Sequence, residues 1–153
     1  MNARKSVILL LSLVLLICLS ACGGKAETKA AEKNQATVTY LEAKSEISQK
    51  KADAVKRDLA KMKEVKEVRG ASLENDIYMA LTVEGFDRFF LDRIRKGAHD
   101  RASKKYPEDN IHITTDKKLS SDLKKLETEL GKNSVEKEEV KKRLKKIEDD
   151  MRG

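Results

Sequence analysis

Tryptophan is absent from this chain, proline occurs once, and cysteine and histidine occur twice each, while aromatic residues make up only 4% of the total. Each scarcity narrows the chemistry. Without Trp, and with its three Phe confined to Phe86, Phe89 and Phe90, the chain lacks the interleaved aromatic and basic residues of a nucleic-acid surface. Two isolated histidines, His99 and His112, form no i, i+4 pair and stand at no metal-ligand spacing, so packing or surface roles are expected of them. No Ser lies in a Gly-x-Ser-x-Gly turn, and the seven glycines are too scattered to cradle a phosphate. No catalytic residue, metal site or cofactor is expected, and the chain reads as a non-enzyme. Long apolar runs are scarce too. The only one, Val7 to Leu19, is interrupted at Ser12 and is shorter than the ~20 residues that cross a bilayer as a helix.

That run follows Arg4 and Lys5 and closes on Leu19-Ser20-Ala21-Cys22, the order of an export signal. An ordinary signal peptidase wants small residues one and three places before its cut, and Leu19 fails the second requirement. A lipoprotein peptidase accepts Leu there and requires the cysteine. Leu19, Ser20, Ala21 and Cys22 are therefore expected to be its recognition motif, with Cys22 lipidated and the membrane the first partner. An unprocessed anchor or a soluble secreted protein is the alternative. Two or more acyl chains on Cys22 hold a protein to a bilayer where one barely does. Cys18 would leave with the signal, so no free thiol would remain for a disulfide, a thiolate metal site or redox chemistry.

Four segments follow: a signal peptide, 1–21; a flexible tether, 22–36, rich in Lys, Glu and Ala and poor in large apolar residues; a domain, 37–115; and a charged helical extension, 116–153. Loss of Arg4 and Lys5 lowers the formal charge from +7 to +5 in a chain that is 39% charged with both signs mixed, which describes a solvated helical surface weakly drawn to anions.

In the domain, a helical rhythm through Ile47, Val55, Leu59 and Met62 ends near Met62 to Lys66. Val68 to Leu73 and Ile77 to Val83 read as a hairpin turning at Asn75-Asp76, with Ile77, Met79, Leu81 and Val83 on one face. Phe86, Phe90, Ile94, Ala98, Ala102 and Tyr106 recur every fourth residue, which predicts a helix whose ridge, including the Phe cluster, covers the sheet; Pro107 stops it. A ligand-anchoring role for the three Phe is the less favoured reading. Asn110 to Thr114 predicts a third strand, with His112 facing away from Ile111 and Ile113. The expected fold is α+β, a two-layer sandwich in the order helix-strand-strand-helix-strand.

Leu119, Leu123, Leu126 and Leu130, then Val140, Leu144, Ile147 and Met151, predict a helical hairpin broken at Gly131-Lys132-Asn133. Gly131 suits a left-handed C-cap, and Asn133 with Glu136 suits an N-terminal capping pair. The hairpin's preferred partner is the domain or itself rather than another chain, and pairing with a second copy is left open. Lys141, Lys142, Arg143, Lys145 and Lys146 are candidate contacts to anionic wall polymer or lipid headgroups, although Glu136, Glu138, Glu139 and Glu148 to Asp150 lie close by.

With these residues in view, the chain resembles the YhcN/YlaJ family of sporulation lipoproteins of endospore-forming Gram-positive bacteria. The likeness rests on the lipidation motif, on Met62-Lys63-Glu64-Val65-Lys66-Glu67-Val68 entering the hairpin whose second strand is Asp76 to Val83, and on Asn110 to Asp116. Its element order is also similar to BON-type domains. The resemblance implies a lipoprotein on the extracytoplasmic face of a spore or forespore membrane, with a protein partner in the spore envelope and a part in germination or outgrowth. It supplies no catalytic residues.

Overall fold

The computed structural model describes residues 36–83 and 85–152. The signal peptide, the lipidation motif and all of the tether except Ala36 lie outside them. Within them four strands, four α-helices and one 3₁₀ helix follow one another as β1 (Thr37–Val38), α1 (Lys50–Leu59), β2 (Val65–Leu73), β3 (Asp76–Val83), a 3₁₀ helix (Gly85–Phe90), α2 (Leu91–Lys105), β4 (Asn110–Thr114), α3 (Lys117–Leu130) and α4 (Lys137–Arg152). The class is α+β, as the pattern of apolar positions predicts.

The strands form one sheet in the order β1-β2-β3-β4, with β2 and β3 antiparallel and the outer pairs parallel. A parallel neighbour requires a crossover, and α1 and α2 supply one each. The sheet has four strands rather than the expected three. β1 is only two residues long, too short to show an alternation of its own.

Both faces of the sheet are covered, so the layers number three rather than two. On one face Val68, Ile77, Met79, Leu81 and Val83 pack against Ala52, Val55 and Leu59 of α1 and Ile94, Ala98 and Ala102 of α2. Val65 joins them because a register shift between Val65 and Glu67 moves it across the sheet. On the other face Ala71, Leu73, Tyr78 and Ala80 pack against Leu123, Leu126 and Leu130 of α3 and against Val140, Leu144 and Ile147 of α4. The hairpin expected as an extension beyond residue 115 is thus a layer of the domain. Those leucines are buried on β2 and β3, and both apolar cores close within residues 36–152.

Turn chemistry differs from expectation at two points. The β2–β3 turn places Glu74, not Asn75, in the left-handed region at φ 56°. Gly131 keeps a right-handed φ of −68°; a Cβ there would lie 3.3 Å from Leu41 Cδ2, so close packing explains this glycine. Asn133 takes the left-handed position at φ 52°. Its side chain does not cap α4; it accepts from the Glu46 backbone N–H and donates to the Lys44 carbonyl, fastening the loop before α1. Asp116 does cap α3, accepting from the Leu119 N–H at 2.9 Å.

Candidate functional site

β1 covers β2 only at Glu67 and Val68, which leaves the rest of that edge with unpaired backbone groups. Side chains close it. The Gly70 N–H donates to Glu127 Oε1 at 2.9 Å, and the Gln49 amide makes a reciprocal pair with Ser72, both bonds at 2.9 Å. Glu127 comes from α3 on one face of the sheet. It meets Lys56 from α1 on the other, around the open edge, at 2.7 Å. Lys56 is 0% exposed and Glu127 2%. Lys56 also reaches Asp53 Oδ1 at 3.3 Å and the Thr39 carbonyl at 2.9 Å, while Asp53 Oδ2 accepts the N–H groups of Leu41 and Glu42, both at 2.6 Å.

Arg69 completes the cluster through Glu127, Glu67 and the Thr39 hydroxyl. Burial alone would pull the Arg69 guanidinium down, but its hydrogen bonds to Glu67 and Glu127 outweigh that and hold it above its ordinary value. Among the described residues no buried side-chain nitrogen or oxygen lacks a partner. The cluster is saturated, so it holds α1, β2 and α3 together and offers no free group to a ligand. Sequence reasoning missed it because its five charged side chains, Asp53, Lys56, Glu67, Arg69 and Glu127, read as surface in a chain so rich in charge.

The five cations expected to meet anions are all on α4. Lys141, Lys142, Lys145 and Lys146 are exposed. Arg143 is held by Glu129 and Glu139, each at 2.9 Å, and Lys145 lies 3.8 Å from Asp149. A cleft of about 330 Å³ beside Lys146 and Arg143 is lined equally by Asp122, Glu129 and Asp150. The arrangement gives alternating sign rather than one cationic face.

His99 is half exposed beside Asp100, and His112 stacks on Tyr78 with ring centroids 4.4 Å apart and planes 6° from parallel. The two histidines are not brought together, and among the described residues no three His, Cys, Asp or Glu side chains converge as a ligand set. Burial first, then the charges of Asp76 and Glu148, push the Tyr78 phenol above its ordinary range. A cleft of about 680 Å³ lies where β4 meets α3 and includes Arg95, Asp116, Lys118 and Asp150. Its charges are engaged: Lys118 with Asp150, Arg95 with Asp92, and Asp116 with the start of α3.

The Phe cluster is where the structure departs most from the sequence reading. Phe86, Phe89 and Phe90 are 85%, 80% and 48% exposed and do not cover the sheet. The four-residue ridge is realised only from Ile94 onward. The preceding segment is a 3₁₀ helix with three residues per turn, so by Phe86 the ridge has slipped about 80° from the α-helical phase. Gly85, at φ 63°, starts that segment in a conformation other residues resist. Comparison of the chain with known protein families, with curated proteins and with solved structures finds no match.

Proposed function

We propose that this protein is a membrane-anchored lipoprotein whose domain works as a non-enzymatic interaction module on the extracytoplasmic face of a spore or cell membrane. The resemblance to sporulation lipoproteins adds a part in germination or outgrowth to the proposal. The observation that carries the reading is the Leu19-Ser20-Ala21-Cys22 motif after a short apolar run. Residues 23–35, the spacer, lie between Cys22 and the first described residue of the domain, and their contour is at most ~45 Å.

With both sheet faces covered, the described residues leave to partners the outer surfaces of the helices and the edge of β4 that no described strand pairs. This favours a protein partner over a ligand enclosed in the sheet. The alternative, binding of anionic wall polymer through Lys141, Lys142, Arg143, Lys145 and Lys146, is weakened by the acidic partners just described. Crosslinking in sporulating cells with the anchored, C-terminally tagged chain, followed by pull-down, tests the reading. It predicts a discrete set of envelope proteins that vegetative cells expressing the same chain do not yield. Identical sets from the two would refute a sporulation-specific role.

A further inference from the structure

Strand register fixes which features share an end of the sheet. Thr37 of β1 lies opposite Glu67 of β2, and Glu67 lies opposite Thr82 of β3. At about 4.8 Å per strand spacing, the point where the chain enters the domain lies roughly 10 Å from the end of β3. The Phe-bearing 3₁₀ helix begins three residues beyond Thr82. β4 runs parallel to β3, with Ala80 opposite Thr114, so the start of α3 falls at this end as well. One end of the sheet therefore carries the spacer, three exposed Phe, and the cations Arg88 and Lys117, which line a common cleft. Arg93 lies beside them, its guanidinium 4.6 Å from the Phe90 ring centroid. Among the described residues Arg88, Arg93 and Lys117 have no acidic partner within 4 Å; of the described acidic groups at this end, Asp92 holds Arg95, Asp116 caps α3, Glu67 is held by Arg69, and Asp87 adjoins Arg88 in sequence.

We infer that this end of the domain is a membrane-docking surface: Phe86, Phe89 and Phe90 enter the headgroup layer of an anionic bilayer, and Arg88, Arg93 and Lys117 meet lipid phosphates. Aromatic rings settle at the boundary between headgroups and acyl chains, and nearby cations are drawn to anionic lipid. The spacer's position selects the bilayer as occupant. An anchor at Cys22 bounds the distance from the bilayer to the end of the domain that carries the Phe, and so raises the effective concentration of lipid there. In that respect the inference rests on the proposed anchor, but the affinity of the surface for lipid does not.

The test uses residues 23–153, which contain both closed cores and no acylation site. Flotation with vesicles of phosphatidylglycerol and phosphatidylethanolamine should recover this chain, and vesicles of phosphatidylcholine alone should not. F86S/F89S should lower recovery about tenfold or more, with an unchanged melting temperature because Phe86 and Phe89 are 85% and 80% exposed. K141Q/K142Q/K145Q/K146Q should leave recovery within about twofold of the parent. Equal flotation of the Phe variant and the parent, or no flotation of the parent, would overturn the inference. So would a concentration-dependent dimer abolished by the Phe variant, which would assign the surface to a second copy. Failure of the anchor itself would appear instead in acylation of Cys22.

Discussion

Replacing Lys56 by Met probes the joint that binds the three layers. Lys56 is wholly buried, and its ammonium is shared by Asp53, Glu127 and the Thr39 carbonyl. Met fills nearly the same volume but leaves two buried carboxylates without that cation. Breaking a buried pair by removing one partner costs about 3–5 kcal/mol, against about 5–15 kcal/mol for the whole stability of a domain this size. In urea, with a slope of about 2 kcal/mol per molar, the midpoint followed by circular dichroism should fall by about 2 M. Glu127→Gln removes the second carboxylate while keeping an acceptor for the Gly70 N–H. The double variant K56M/E127Q should therefore be more stable than the sum of the single effects predicts, by about 1.5 kcal/mol or more. A cost below about 1 kcal/mol for K56M, or single effects that add within about 0.5 kcal/mol, would refute the joint around the β2 edge.

Gly70→Ala should unfold the domain or cost about 3 kcal/mol or more, since a Cβ would collide with the Tyr78 carbonyl oxygen and sit 2.5 Å from Met79 Sδ; thermal melting reads this directly. Asp58 is held below its ordinary value chiefly by its hydrogen bond to Lys105, with burial opposing this as the next effect in size and Lys61 adding a smaller lowering. Its contribution is present above pH about 4 and disappears as pH falls through the depressed pKa. Asp58→Asn should thus cost under about 1 kcal/mol at neutral pH and converge with the parent in acid. The Tyr78 phenol, raised by burial and nearby carboxylates, contributes stability that is lost as pH climbs past about 10, where the unfolded phenol ionises. Absorbance titration near 295 nm should show a late component that Tyr78→Phe removes, and its persistence in that variant would contradict the assignment.

Local pattern carried most of the element order. Alternation through Ile77, Met79, Leu81 and Val83 marks β3 because its other face, although also largely buried, carries Tyr78, Ala80 and Thr82 rather than large aliphatic residues, and the leucine spacing marks α3 because that helix buries one face. It failed where long-range packing decides. Nothing in Glu127 or Lys56 distinguishes a buried charge from the many solvated ones, and Glu127 follows the fully buried Leu126 within α3. The Phe cluster misled for a different reason: a fourfold spacing predicts a face only while the helix keeps 3.6 residues per turn, and the 3₁₀ segment does not. Glu74 and Asn133 took left-handed conformations in place of Asn75 and Gly131, because turn geometry followed strand register and the fit against Leu41 rather than residue preference. Of the expected sites, the α4 cations are in place on the surface but interrupted by acidic partners. The surface beside the spacer was visible in sequence only as three phenylalanines assigned to the core.

The central claim is that Cys22 carries the acyl chains that tether this domain. Cells expressing the full chain, wild type or Cys22→Ser, should be grown with a clickable palmitate analogue and fractionated in high salt, with the chain detected by a C-terminal tag. The account predicts label and membrane retention for the wild type and loss of label for the serine variant. A Cys22→Ser chain labelled as heavily as the wild type would contradict it.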